Sequence, residues 1–231
     1  LKQDEKIQSM LIIDEKKDKD KSIALATRKG LVKKTAVKQF DNIRSTGIIA
    51  ITLNDDDELV KGQVTNGKEE LFLGTYGGKC IRFNEAEVKQ SSRDTKGVRG
   101  ISLKKDDYVV AFEKISDEFK GEKEAAILVV TEKGIGKRTK INQYPVQKRS
   151  GLGVKISDIT AKTGKVASIR LMTSAHKELV ITTQKGQTIK LPNSKKALPF
   201  LTRPTQGVIL MKLPKDDKVV TTALTELEKV G

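Results

Sequence analysis

Basic residues recur at fixed places along the chain, and their spacing points to a binding chemistry. Cations follow a Thr-x-x-Gly segment four times, and after each group an arginine lies three or four residues before a glycine. With two neighbouring cations, the set is Lys33, Lys34, Arg44, Arg82, Arg93, Arg99, Lys137, Arg138, Lys148, Arg149, Lys190 and Arg203. Ammonium and guanidinium groups in one repeating phase can hold the phosphates of double-stranded DNA without reading its bases. We therefore expect a periodic positive belt; ordinary protection of sheet edges by lysine is the alternative.

The overall charge favours a polyanionic partner. The chain has 231 residues, with 45 Lys and Arg against 30 Asp and Glu, a formal net charge of +15. A basic balance of this size favours nucleic acid first and an anionic membrane surface second. No apolar run approaches the ~18 residues of a membrane-spanning helix, and the start lacks the apolar stretch of a signal peptide. We expect a cytoplasmic protein without a membrane partner, and the first residue, Leu1, suggests a fragment of a longer polypeptide.

The residues that usually carry catalysis or bind metals are scarce. One cysteine, Cys80, and one histidine, His176, allow no internal disulfide and make a poor metal site. We expect Cys80 in the core and His176 in a surface loop. No phosphate-binding Gly-Lys-Ser/Thr motif is present. The sequence therefore predicts no catalytic residue, no metal site and no cofactor in this chain.

The elements that position the cations are repeats. The threonines of the Thr-x-x-Gly segments are Thr27, Thr75, Thr131 and Thr183, at spacings of 48, 56 and 52 residues. An Asp-Asp turn closes three of the units, and residues 1–7 match this closing element. One domain over residues 1–231 is expected, with approximate repeats at 1–20 (partial), 21–68, 69–123, 124–176 and 177–231.

Within each repeat the pattern predicts β-structure. Short runs rich in β-branched residues, such as 23–26, 48–53, 127–130 and 208–213, lie between Gly or Asp turns. The Thr-x-x-Gly segments are predicted to be hairpin turns. About four strands per ~50 residues is typical of a propeller-like array, with a solenoid as the alternative. Residues 1–7 should pair with a neighbouring blade, and the blades should form an open arc rather than a closed ring.

At motif level the chain resembles a known family. The segments 26–40 (ATRKGLVKKTAVKQF), 44–51 (RSTGIIAI), 93–101 (RDTKGVRGI) and 131–139 (TEKGIGKRT) are similar to the C-terminal domain of the bacterial DNA gyrase A subunit. The A subunit of topoisomerase IV is a second candidate parent. The resemblance implies an all-β β-pinwheel, a propeller-like disc of four-stranded blades, here with four full repeats plus a partial one. The family's Gln-Arg-Arg-Gly-Gly-x-Gly box has only a degenerate echo at 147–153, where Ser150 replaces a glycine.

The resemblance also implies a function. It is non-specific binding and wrapping of double-stranded DNA by a basic outer rim, which presents a DNA segment to the strand-passing core of a type IIA topoisomerase. The chain would be a non-catalytic part of an ATP-dependent enzyme, whose ATP and Mg²⁺ belong to its other parts. Its partners would be DNA, the remainder of the A subunit, and the B subunit. The alternatives are a propeller that binds an acidic protein, disfavoured by six Phe, three Tyr and no Trp, and an enzyme with a central site.

Overall fold

The regular secondary structure consists almost entirely of short β-strands. The computed structural model describes residues 6–43 and 45–226. The strands are β1 (Ser22–Thr27), β2 (Leu31–Ala36), β3 (Leu59–Thr65), β4 (Glu70–Thr75), β5 (Lys79–Asn84), β6 (Val98–Arg99), β7 (Val109–Ile115), β8 (Ala126–Thr131), β9 (Ile135–Lys140), β10 (Val154–Lys155), β11 (Val166–Met172), β12 (His176–Thr183), β13 (Thr188–Pro192), β14 (Val208–Ile209) and β15 (Val219–Glu226). The helical segments are α1 (Asp117–Lys120) and the 3-10 turns Val37–Phe40, Glu85–Glu87 and Ile141–Gln143. This content confirms the all-β prediction.

The strands form four antiparallel sheets, which we call blades 1 to 4. Their strand orders are β3-β1-β2-β6, β10-β5-β4-β7, β11-β8-β9-β14 and β13-β12-β15. The strands β3, β7, β11 and β15 contact one another in succession and line a central cavity, so they are the inner strands of a propeller-like arrangement. This arrangement, together with the exchange of outer strands between repeats described next, is that of a β-pinwheel.

Each outermost strand comes from the following repeat. The two-residue strands β6, β10 and β14 pair with β2, β5 and β9 of the preceding blade. They belong to segments 88–101, 144–157 and 198–211, which we call the rim loops. Each rim loop also bridges its neighbour's strand in parallel, at Lys34–Gln90, Arg82–Val146 and Arg138–Phe200. Each rim loop therefore lies against residues about 60 positions earlier in the chain.

The Thr-x-x-Gly segments form the hairpin turns that the sequence predicts. In all four, the glycine N–H donates to the threonine carbonyl oxygen at 3.0–3.1 Å. The four glycines have φ of +74° to +85°, a left-handed conformation that side chains rarely adopt. The threonine hydroxyl oxygen accepts from the backbone N–H four residues later in three turns, and in the other Thr131 Oγ1 donates to the Ile135 carbonyl. The repeated threonines are therefore structural.

The Asp-Asp turns hold these hairpins in place. The second aspartate of each pair, Asp57, Asp107 or Asp217, accepts a hydrogen bond from the N–H two residues after the hairpin threonine, at 2.8, 2.6 and 3.1 Å. In blade 3, which lacks the pair, the Thr163 carbonyl accepts from Lys133 N–H instead. These carboxylates accept backbone bonds, which fits a structural role.

The two ends of the arrangement differ from the interior. Residues 1–5 lie outside the described part, and Lys6 and Ile7 form no strand, so the predicted pairing of residues 1–7 is not seen in the described part. Among the described residues, no backbone hydrogen bond joins blade 1 to blade 4. The open arc stays a prediction. The strand predicted at 48–53 is also absent: its equivalents in later repeats, β6, β10 and β14, each pair with a preceding blade, and blade 1 has none in the described chain.

Candidate nucleic-acid interface

One cation position on the second strand of each hairpin joins neighbouring blades. Arg82 on β5 donates from Nη1 to the carbonyl oxygens of Ile141 and Tyr144 in the next repeat, both at 2.9 Å. Its Nε donates to Glu70 Oε2 at 2.5 Å. In blade 1, Lys34 Nζ donates to the Glu85 carbonyl at 3.0 Å. These side chains bridge from one blade into the next.

Arg138 occupies the same position in blade 3 and is fully buried. Its Nε donates to the Leu198 carbonyl at 2.7 Å, and Nη1 donates to Asn193 Oδ1 at 2.6 Å. The guanidinium carbon lies 4.1 Å from the centre of the Phe200 ring, a cation–π contact. Burial lowers the pKa of Arg138, and Glu124 opposes that shift. The repeat thus places a cation where the next repeat supplies acceptors.

The preceding strand position is also buried. Lys33 Nζ donates to the carbonyl oxygens of Ala50 and Arg93. Lys137 Nζ donates to the carbonyl oxygens of Thr202, Arg203 and Thr205, and both Thr202 and Thr205 accept at 2.8 Å. Burial, reinforced by the positive charge of Arg203, lowers the pKa of Lys137 from 10.5 to about 8. Each ammonium therefore fixes the backbone of a loop that covers it.

The expectation of an exposed belt is wrong for five residues. The buried side chains are Lys33, Lys34, Arg82, Lys137 and Arg138. The physical reason is that the following repeat folds over these strand positions and offers carbonyl oxygens, which solvate a buried cation. Lys34 and Arg82 are also paired with the carboxylates of Glu85 and Glu70. One sequence signal was available: Ile81 and Ile189 occupy the position of Lys33 and Lys137, and an aliphatic residue there indicates burial.

The loop arginines hold successive rim loops together. Arg149 donates from Nε to the Glu87 carbonyl at 3.1 Å and from Nη1 to the Arg99 carbonyl at 2.9 Å. Arg203 repeats this pattern on Gln143, at 3.0 Å, and Lys155, at 2.6 Å. The corresponding bond of Arg93 is from Nη1 to the Ile49 carbonyl, at 2.9 Å. All three are half-buried, so their recurring phase has a structural cause.

Three predicted residues place their cations on the surface, without an acidic partner in the described part of the chain. Arg99, Lys148 and Lys190 are exposed, on β6, in a rim loop and on β13 respectively. The remaining predicted residue, Arg44, lies outside the described residues. Two exposed rim-loop lysines outside the predicted set, Lys89 and Lys96, lie on either side of Arg93 in the sequence. They do not recur in the later repeats, so a search for repeated positions passes over them.

The rim loops carry few acids to oppose these cations. Segment 144–157 contains three cations and no acid, whereas segment 88–101 contains four cations and Asp94. Exposed aliphatic side chains, including Leu152, 59% exposed, and Val146, 53% exposed, lie between the charges. The result is a positive outer surface over blades 1 and 2.

The central cavity has the chemistry of a paired ion network. It encloses about 360 Å³. Glu113 lies there, and its carboxylate accepts from Lys61 Nζ at 2.9 Å and lies 4.0 Å from Arg170 Nη1. Among the described residues there is no cluster of three potential metal ligands. No convergence of histidines, cysteines or paired carboxylates supports a reaction at this centre in the described part of the chain.

The cysteine and histidine have local roles. Cys80 is buried, as predicted, and burial raises the pKa of its thiol to about 12. His176 is half-buried at the start of β12 rather than in a surface loop, and its Nδ1 accepts from the Thr173 N–H at 3.0 Å. Within the described ranges, no helix is long and apolar enough to cross a bilayer.

The four repeats match the model of a known protein family. The family described as "DNA gyrase C-terminal domain, beta-propeller" matches residues 21–66, 69–116, 125–171 and 177–226. The DNA gyrase A subunit of Haloquadratum walsbyi is 37% identical over 88% of this chain, and that of Staphylococcus epidermidis is 35% identical over 96%. The chain spans 23% and 24% of these two relatives, about a quarter of their length.

Solved structures share the fold. The C-terminal domain of a DNA topoisomerase IV superposes with a TM-score of 0.81 at 26% identity, covering 90% of this chain and 62% of that one. A DNA gyrase A C-terminal domain superposes with a TM-score of 0.75 at 23% identity, covering 90% and 66%. Both similarities extend over all but a tenth of this chain.

Proposed function

This chain belongs to the family of DNA gyrase C-terminal domains, and from that premise we propose that it binds double-stranded DNA without sequence preference and bends it around the rim loops. The observation that carries the proposal is the exposed positive surface of those loops, formed by Lys89, Lys96, Arg99 and Lys148. Lys190 extends the same chemistry to blade 4. Cations without competing acids neutralise DNA phosphates and release the counterions condensed on them. Such binding does not depend on the DNA sequence.

The buried cations support this function indirectly. Bending 20–30 base pairs by 40–90° costs about 1–6 kcal/mol, so a wrapping surface must resist deformation. Arg149 and Arg203 join successive rim loops, and Arg82 and Arg138 join successive blades, through bonds of 2.6–3.1 Å. In our proposal these contacts set the curvature, and the exposed cations provide attraction.

The proposed module acts within a larger enzyme. The relatives are A subunits of DNA gyrase, and this chain corresponds to about a quarter of their length. We propose that it is a non-catalytic module that delivers the bound DNA segment to a strand-passing core, in the bacterial cytoplasm. The B subunit, with the other parts of the A subunit, would then be its partner, and ATP and Mg²⁺ would act there.

Salt dependence and DNA topology together test the proposal. If about eight phosphates are neutralised, log K against log[salt] should have a slope of roughly −7. Nicked circular DNA sealed by ligase with the chain bound should show a change in linking number, because wrapping constrains writhe. A slope near zero would exclude the phosphate surface. A steep slope with an unchanged linking number would support DNA binding but refute wrapping.

A protein-binding propeller is the second candidate. The exposed aliphatic side chains of the rim loops, with Ile209 60% exposed, are the observation that favours it. Their isolated positions among cations fit a DNA surface better, since interface anchors are usually aromatic and clustered. If substitution of the rim-loop cations leaves the DNA affinity unchanged, the rim loops are not the DNA surface, and a protein-binding role for them is favoured.

A further inference from the structure

A basic cleft lies between blades 2 and 3, at the hairpin end of the strands. It has a volume of about 600 Å³ and is lined by Tyr76, Gly77 and Gly78 of the β4–β5 turn and by the turn that precedes β7. Five lysines line it: Lys79, Lys104, Lys105, Lys155 and Lys165. None of the five is among the four cations that form the proposed DNA surface, although Lys155 lies at the end of rim loop 144–157.

Two of these lysines face each other in an unfavourable arrangement. Lys79 on β5 and Lys155 on β10 are direct cross-strand partners, so their side chains share one face of the sheet. Like charges at directly opposite positions destabilise a sheet. One contact compensates, from Lys155 Nζ to Asp158 Oδ1, at 3.3 Å. Within the described chain, Lys79 has no acidic partner.

The arrangement is particular to this junction. The equivalent pair is Leu31 and Arg99 in blade 1, and Ile135 and Ile209 in blade 3. In these two blades the pair therefore holds one cation or none. Nothing in the repeat requires two, so the pair at the blade 2–3 junction has a local reason.

The acids of the cleft do not neutralise it. Asp107 is occupied by bonds from Thr75 Oγ1 at 2.8 Å, Gly77 N–H at 2.6 Å and Tyr108 N–H at 2.9 Å. Asp158 accepts from Gln206 Nε2 as well as from Lys155. Asp106 is the third acid, against five lysines. The cleft therefore has a net positive charge and an unpaired Lys79 among its described neighbours.

We propose that this cleft binds a phosphate group, which bridges Lys79 and Lys155. A dianion between the two ammonium groups replaces their repulsion with attraction, and Lys104 and Lys105 add to the positive potential. The phosphate can belong to DNA that leaves the rim or to a free phosphate compound. Phosphate binding here does not depend on the proposed wrapping.

The test measures inorganic phosphate binding to the 231-residue chain. Thermal unfolding and amide NMR titration are run with phosphate against chloride at matched ionic strength. We expect phosphate to raise the Tm by several degrees and to shift the Gly77 and Gly78 amides. Lys79→Gln/Lys155→Gln should weaken phosphate binding at least tenfold and, without phosphate, unfold at the same or a higher temperature than the parent.

A matched control removes two charges from the equivalent cleft between blades 3 and 4. Lys162→Gln/Lys212→Gln should retain the phosphate response, because those lysines line that other cleft. If the glutamine variant fails to fold, Lys79→Ile/Lys155→Ile reproduces the residues found at these positions in blade 3. An absent phosphate response in the parent, or an equal response in the Lys79 and Lys155 variant, would overturn the site.

DNA titrations distinguish the two sources of phosphate. If the site holds the DNA backbone, Lys79→Gln/Lys155→Gln should also reduce the magnitude of the salt slope of DNA binding by about two. If the ligand is a free phosphate compound, that slope should stay unchanged while inorganic phosphate binding is lost. If the chain binds phosphate at this cleft but binds no DNA, the phosphate site is supported and the proposed wrapping is refuted.

Discussion

Arg138 and Lys190 occupy the same position of the repeat, on β9 and β13, but only Arg138 is buried. The Nε of Arg138 donates to the Leu198 carbonyl, at 2.7 Å, in the rim loop of the fourth repeat, which covers blade 3. Lys190 is exposed, and among the described residues no rim loop covers it. The same residue class at the same repeat position is thus a structural bridge in one blade and a surface charge in another.

This contrast predicts opposite responses to the same substitution. Arg138→Ala should lower the free energy of unfolding by about 3 kcal/mol, because it leaves buried acceptors unpaired and a cavity beside Phe200. Lys190→Ala should change it by less than about 0.5 kcal/mol. Urea denaturation of both variants measures the difference. Equal effects would show that burial at this position has no energetic consequence.

A second prediction concerns the arginines that join rim loops. Arg203→Ala should release segment 198–211 from Gln143 and Lys155, so its backbone amides should exchange faster while those of β4 remain protected. Arg203→Lys should behave similarly, since an ammonium cannot reproduce the forked geometry of guanidinium. Hydrogen exchange followed by mass spectrometry resolves the segment. Full protection in the lysine variant would mean that charge, rather than the fork, holds the loop.

The sequence predicted the hairpin turns because local rules govern them. A Thr-x-x-Gly hairpin needs a positive φ at one residue, and that requirement is visible as a recurring glycine, such as Gly134. Spacing alone could not place the buried cations; the aliphatic residues Ile81 and Ile189 at the position of Lys33 and Lys137 were the available signal of burial. Spacing identifies Lys137 and Arg138 as equivalent to Lys33 and Lys34, but it does not say which side of the strand is covered.

The covering element comes from far along the chain. Arg138 meets Leu198 across 60 residues, and Arg82 meets Tyr144 across 62. No local pattern in β5 or β9 records that a later segment returns to lie on it. The exposed cations Lys89 and Lys96 were missed for a related reason: they are not periodic, and binding to a smooth polyanion does not require periodicity.

The protonation of Lys137 provides a third prediction. Its pKa is about 8 in the folded protein against an ordinary 10.5, so between these values the unfolded chain binds more protons. Stability should therefore rise with pH through this window, with the full cost of the buried charge present below pH 8. Relative to Lys137→Ile, which matches Ile81 in blade 2, the parent should gain about 2 kcal/mol from pH 7.5 to 10.

Denaturant titrations of both proteins across this pH range measure the effect. The comparison cancels the titration of the other lysines and tyrosines, which the two proteins share. A difference between parent and variant that does not change with pH would show that the ammonium is as well solvated by its three carbonyl oxygens as by water.

The fourth prediction separates surface cations from structural ones in DNA binding. Arg99→Ala/Lys148→Ala should reduce the magnitude of the salt slope by about two while changing stability by less than ~1 kcal/mol. The matched control, Lys16→Ala/Lys19→Ala, removes two exposed charges from the turn before β1 and should leave the slope unchanged. Fluorescence anisotropy with a labelled duplex measures both. A common loss in the two variants would indicate attraction by net charge alone rather than by the rim loops.

The last prediction concerns the uncovered edge of blade 4. In blade 3, the Arg138 N–H donates to the Pro199 carbonyl of the next rim loop at 2.9 Å. The equivalent N–H of Lys190 on β13 has no such acceptor in the described chain, because blade 4 has three strands. The Lys190 amide should therefore exchange with solvent at least a hundredfold faster than the Arg138 amide, measured by NMR on dilute protein. Since an unpaired edge is a template for another strand, exchange should slow as concentration rises if a second copy docks there. Equal protection of the two amides at all concentrations would mean that the edge is already covered within one chain, and the open arc would then be wrong.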